Sequence, residues 1–270
     1  MALPAHKAAG VRPAAPVALL VLAGTGAAFF SIPLIGLVLR TPWTAIWDQL
    51  RSPEVLTALR LSLLASLSAT AIALVVGVPL AWTLARLTFP GRAVLRAVTV
   101  LPMVLPPVVG GVALLLAFGR HGLLGGWLAT TFGIHLPFTT AGAILAETFV
   151  AMPFLVITVE AGLRSMDSRF EDAARTLGAS RWTVLWRVTL PLVRPSLVAG
   201  AVLCWARALG EFGATITFAG NFPGRTQTMP LAVYLALETN PDAAIVLSLV
   251  LLAVSLAVLI GLRDRWLGSS

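Results

Sequence analysis

A chain of 270 residues with 58% apolar content and only 11% charged residues has too few polar side chains to coat a soluble core, and composition alone describes a polytopic membrane protein. The formal charge of +8 is spread over loops between apolar runs, which fits membrane topology and affinity for anionic headgroups and gives no reason to read a nucleic-acid patch. In chain order, residues 1–16 form a basic, Ala/Pro-rich tail. The apolar run Val17–Leu39 behind it is longer than the core of a signal peptide, so an uncleaved first span is expected although Gly26-Ala27-Ala28 resembles a cleavage site. An outside segment with interfacial Trp43 and Trp47 leads to a second span, Leu61–Leu84. After the tight basic turn Phe89-Pro90-Gly91-Arg92 comes a third span, Ala97–Phe118. Its opening holds Pro102, Pro106 and Pro107 with Gly110 and Gly111, which predicts a broken helix, either lining a path or kinked between neighbours.

The outside loop 119–138 carries His121 and His135, expected as surface histidines and not as metal ligands. A fourth span, Thr139–Val159, contains Glu147, which is either a functional ionisable group or a structural one held neutral. The fifth, Leu197–Phe218, contains Arg207 and Glu211, and the sixth is Ala243–Leu262. Cys204, the single cysteine, reads as a small buried hydrophobe. Six spans put the termini on one side, and thirteen Lys and Arg residues on that side against five opposite predict that both termini, with a C-terminal tail at 266–270, are cytoplasmic.

Between the fourth and fifth spans, within the loop 164–195, lies the most charged stretch, Ser168–Pro195. Ser168 and Glu171 stand as S-x-x-E, a capping box, ahead of Phe170, Ala173, Ala174 and Leu177 on one helical face. Gly178 ends this helix. Ser180 caps a second, in which Trp182, Leu185, Trp186 and Thr189 share a face until Pro191 and Pro195 close it. Arg207 and Glu211, four apart, are expected on one helix face, either neutralising one another or shaping a path for a doubly charged oxyanion.

Asp172-Ala173-Ala174, Gly178 and Val188-Thr189-Leu190-Pro191 resemble the cytoplasmic loop of ABC importer permease subunits, which reads E-A-A, three residues, G, nine residues, I-x-L-P. Asp stands for Glu, with Glu171 one residue earlier, and Val stands for Ile. The run Arg207–Phe218 followed by Pro223–Leu231 is similar to molybdate permeases and more loosely to sulfate permeases, through A-L-G-E.

The resemblance implies an all-α, type I ABC importer permease fold over residues 17–265. It implies coupling through Glu171, Asp172, Ala173, Ala174, Gly178, Leu190 and Pro191, and a pathway involving Arg207, Glu211, Thr215, Pro106 and Pro107. The implied assembly is a homodimer with two ATPase subunits and an extracytoplasmic molybdate-binding protein, embedded in membrane lipid. Lys7 is the only lysine, so no phosphate-binding G-x-x-x-x-G-K-[ST] loop exists in these residues. This chain is therefore expected to be non-catalytic and without a cofactor, with ATP and Mg on the partner. Alternatives are a sulfate or thiosulfate permease, or an ion-coupled anion transporter or channel using Glu147, Arg207 and Glu211.

Overall fold

The computed structural model describes residues 16–267; the N-terminal tail up to residue 15 and the last three residues lie outside the described part. Every regular element among the described residues is helical. Helix α1 (Val17–Leu39) coincides with the first predicted span and forms a unit of its own. The other unit begins after Thr41 with a short helix, α2 (Ile46–Leu50), on which Trp47 is exposed, as is the preceding Trp43.

Helix α3 (Pro53–Arg86) is 34 residues long, about 51 Å at 1.5 Å per residue, and so overreaches a bilayer core of about 30 Å. Ser52 caps it, accepting from Val55 N–H. Ala65, Ala69, Ala73, Gly77 and Ala81 recur every four residues along it, and all are buried. They give α7 (Thr140–Ser165) a smooth groove: a methyl group on Gly77 would lie 3.1 Å from Leu155 and 3.2 Å from both Met152 and Val156. Lipid offers no hydrophobic incentive for helices to associate, so contact of this closeness, with its dispersion energy, is what holds them together. Helix α11 (Arg194–Leu209) completes this core, with Gly162 of α7 facing Ser196 and Gly200 facing the Leu155 backbone.

The third predicted span is broken as its prolines dictate. Helix α4 (Arg92–Val104) follows the turn at Gly91, and α5 (Pro107–Phe118) starts after two extended residues, Leu105 and Pro106. The fifth span is broken too. Helix α11 stops at Leu209 and α12 (Gly213–Ala219) restarts after Glu211 and Phe212. The halves pack on each other: a methyl group on Gly213 would lie 2.9 Å from Pro107 Cβ, and one on Gly111 only 2.6 Å from Thr217 Cβ. Leu114, Ala146, Val150, Ala214 and Phe218 seal α5, α7 and α12 into one cluster. The outside loop holds a short α6 (Gly125–Phe132), with His121 and His135 exposed.

The sixth span is α14 (Pro241–Leu267), preceded by α13 (Met229–Thr239), whose first N–H, on Met229, donates to Ser62 Oγ of α3 at 2.6 Å. Among the described residues four helices, α1, α3, α7 and α14, are long and apolar enough to cross a membrane unbroken, while the third and fifth spans are built in halves. Cys204 is fully buried among α3, α7 and α11, as its reading as a small hydrophobe requires.

Sequence reading missed an ionic knot at one end of the bundle. Glu160, buried on α7, takes Arg96 of α4 and Arg164 of its own helix, while Arg92 and Arg164 both donate to the Leu84 carbonyl near the end of α3. Replacing Glu160 by Ala removes the carboxylate from two half-exposed arginines, and a loss of about 1–3 kcal/mol is expected, read as a lower midpoint of thermal unfolding in detergent. Gly111→Leu is expected to cost about 1–3 kcal/mol or more by overpacking α5 against α12, measured in the same way.

Candidate functional site

The charged loop forms α8 (Arg169–Thr176) and α9 (Arg181–Val184), hinged where expected. Gly178 takes φ +83°, a left-handed conformation that costs a glycine nothing, and Ala179 N–H closes the end of α8 by donating to Ala174 O at 3.0 Å. Ser180 accepts from Thr183 N–H at 3.1 Å and caps α9. The expected capping box at Ser168 and Glu171 does not form. Ser168 sits in helical conformation with no side-chain cap, and Asp167 accepts from Arg169 N–H instead.

Glu171 is occupied elsewhere. It is buried, accepts from Thr189 Oγ1 at 2.7 Å and faces Arg86 Nη2 of α3 at 3.4 Å. A carboxylate removed from water gains more from a hydroxyl donor and a guanidinium than from a nearby exposed backbone N–H. This inward contact fixes the rotation of α8 about its axis. Phe170, Ala173 and Leu177 point outward, with Leu177 88% exposed, and Asp172 lies beside Arg175 on the exposed surface. The helix buries an acid and presents apolar groups.

The second helix departs from its predicted face. Trp182 and Trp186 remain together, rings edge to face at 5.7 Å, but Thr189 turns inward to Glu171. A π-turn at Leu185–Thr189 causes the divergence, with Leu190 N–H donating to Leu185 O five residues back. Pro191 explains the π-turn: it has no N–H for the α-helical bond, and its ring would press on the carbonyl four residues earlier. So Pro191 does not close the helix as expected. The chain continues through α10 (Leu190–Leu192) and bends by 71° at Val193 into α11, whose first turn contains Pro195.

The intramembrane polar residues meet at the second break. Arg207 Nη2 lies 2.6 Å from Glu211 Oε2, so the expected pair exists, but across the end of α11 and not along one continuous helix. The other oxygen, Oε1, accepts from Ala214 N–H at 2.7 Å, and Glu211 thereby caps α12. Thr215, one turn further, is fully buried, its hydroxyl without a hydrogen-bond partner. Glu147 of α7 is buried within electrostatic reach of Glu211, and its Oε2 has no partner. Two carboxyl groups and one guanidinium thus share this region, and Arg207, with 27% of its side chain exposed, is the member that reaches out of the packing. Pro106 and Pro107, at the facing break, are exposed. Among the described residues no cluster of three His, Cys, Asp or Glu is arranged to hold a metal.

Residues 73–269 match the family model described as the binding-protein-dependent transport system inner membrane component. The chain is 48% identical over 242 residues to the molybdenum transport system permease protein ModB of Mycobacterium tuberculosis, covering 89% of this chain and 90% of that one. With ModB of Escherichia coli the identity is 44% over 210 residues, 78% and 92% of the two chains. With the sulfate transport system permease protein CysT of Escherichia coli it is 38% over 236 residues, 86% and 85%. Among solved structures, a bacterial ABC transporter involved in alginate import superposes with a TM-score of 0.76 at 17% identity, over 94% of this chain and 95% of that one, which bears on the fold. The MetNI methionine ABC transporter superposes with a TM-score of 0.57 at 18% identity, over 77% and 90%. With the family model spanning well over half its length, the chain belongs to the inner membrane components of binding-protein-dependent transport systems.

Proposed function

We propose that this chain is the membrane-spanning subunit of an ATP-driven importer for molybdate or the chemically similar tungstate. It works as a homodimer with two ATPase subunits, which carry ATP and Mg, and with an extracytoplasmic binding protein that delivers the oxyanion. One observation carries the coupling half of this reading: α8 turns Phe170 and Leu177 outward while Glu171 is tied inward. A helix with its apolar face toward water calls for a protein groove to cover it. Ala173, Ala174 and Gly178 form the outer surface and hinge of this element, Asp172 pairs with Arg175 behind it, and Leu190 and Pro191 join it to α11. The charge asymmetry of the loops supports placing it, and both termini, on the cytoplasmic side. ATP-driven closure of the ATPase pair carries α8 with it, and the Arg86–Glu171–Thr189 contacts pass the displacement to α3 and, through the π-turn, to α11.

The choice of oxyanion follows the relatives, since identity is 44–48% to molybdenum permeases and 38% to the sulfate permease. In the pathway, Arg207 supplies positive potential at the break between α11 and α12, and Glu211 restrains it so that an anion passes without being trapped. Thr215, Pro106 and Pro107 belong to the same pair of broken spans.

Proteoliposomes holding this chain with its ATPase and binding protein are expected to take up molybdate only with ATP, with tungstate competing and sulfate competing poorly. Flux through the chain alone, driven by an ion gradient, would instead make it a secondary transporter. Leu177→Asp is expected to weaken ATPase-subunit binding at least about tenfold, since a buried leucine is worth about 1.5–3 kcal/mol, with the permease still folded. Arg207→Met is expected to abolish uptake while the assembly stays intact by size-exclusion chromatography; loss of assembly would reduce the pair to a structural role.

A further inference from the structure

Two cavities meet on the inner side of the α8–α9 hinge. The first, about 750 Å³, is walled by carbon: Leu74, Val78 and Trp82 of α3, Leu163 of α7, and Trp182 and Trp186 beyond Ser180. The second, about 810 Å³, is polar and contains Arg86, Arg175 and Arg181 with Glu171 and Asp172. They share Trp82, Arg181 and Leu185, so one continuous groove runs from an apolar half to a cationic half.

The charges in the polar half do not balance. Glu171 is satisfied by Thr189 and Arg86, and Asp172 by Arg175. Arg181, exposed on the groove wall, has no ion pair among the described residues. What complements this groove is an amphiphile with an anionic head and a long apolar tail. Trp182 and Trp186 are 68% and 56% exposed, and exposed indoles beside an apolar wall are the side chains that favour a membrane interface, with an apolar body and a polar N–H. A free oxyanion or a nucleotide would leave the larger carbon surface open to water, whereas a phospholipid fills both halves.

We propose that this groove binds one anionic phospholipid from the leaflet on the arginine-rich side, its headgroup phosphate on Arg181 and an acyl chain between α3 and the Trp182–Trp186 pair. The lipid lies against the surface of α8 opposite Phe170 and Leu177, and so wedges the hinge from behind.

The test is tryptophan quenching in the full-length chain, reconstituted in phosphatidylcholine vesicles that carry a small fraction of acyl-brominated phosphatidylglycerol or acyl-brominated phosphatidylcholine. The chain has eight tryptophans, so the difference between it and the Trp182→Phe/Trp186→Phe variant isolates the signal from the groove. Brominated phosphatidylglycerol is expected to quench that signal several-fold more than brominated phosphatidylcholine at equal fraction. Arg181→Gln should erase the preference and Arg181→Lys retain it. Equal quenching by the two lipids, or a preference that survives Arg181→Gln, would overturn the assignment. No quenching by either lipid would mean that a second copy or another protein covers the groove, and loss of the preference on adding inorganic phosphate, but not chloride at matched ionic strength, would make it a site for small anions. Either result would overturn it too.

Discussion

Backbone N–H and C=O groups within hydrocarbon have no water to bond to, and each one left unpaired costs several kcal/mol, as the third and fifth spans show in opposite ways. The third is interrupted by consecutive prolines, Pro106 and Pro107, which bring no N–H to the start of α5, so a break there creates fewer orphan donors. The fifth has no proline at its break, and the N–H groups of α12 are served by a side chain, Glu211, which accepts from Ala214. A carboxylate used in this way must be neutralised, and Arg207 supplies the charge from the end of α11. The ionic pair in the fifth span is thus the price of an interrupted helix. Because α5 and α12 are short and uncommitted to a full crossing, they can approach as closely as Gly111 and Gly213 allow.

The same reasoning orders the charged loop. With Glu171 turned to Thr189 and Arg86, α8 cannot lay its apolar face on the bundle, although a soluble helix of that composition would do so. The face stays outward because the acid is the better inward partner. Helix α8 is thereby tied by an ion pair at 3.4 Å to α3 and by a hydrogen bond of 2.7 Å to the approach to α11, two of the three helices that form the main core. A displacement at α8 has a stiff route into the spans.

Much of the architecture is legible in the sequence, since hydropathy alone places α1, α3, α7 and α14 and proline chemistry places the break before α5. The hinge at Gly178 and the cap at Ser180 are equally readable, because both are local and depend on residue type. Three features are not. The S-x-x-E at Ser168 is a sound local signal, but it competes with Arg86, some eighty residues away, and local spacing carries no information about that partner. Arg207 and Glu211 stand four apart, as an unbroken helix favours, and nothing nearby announces that Glu211 caps a new one. Glu160 sits just past an apolar run and the arginines around it read as topology signals, so the knot they form at Leu84 appears only when α3, α4 and α7 are brought together.

The π-turn at Leu185–Thr189 has a bearing on the loop's spacing. A π-turn spends an extra residue per turn without a matching advance along the axis, so the stretch between Gly178 and Pro191 is longer in sequence than in space. The chain carries torsional slack here. Rewinding these residues as ordinary α-helix would rotate whatever follows by about 100° and advance it by about 1.5 Å. The joint that ties the outer helices to α11 is therefore wound one residue short of full tension, and twist can be taken up there without stretching either neighbour.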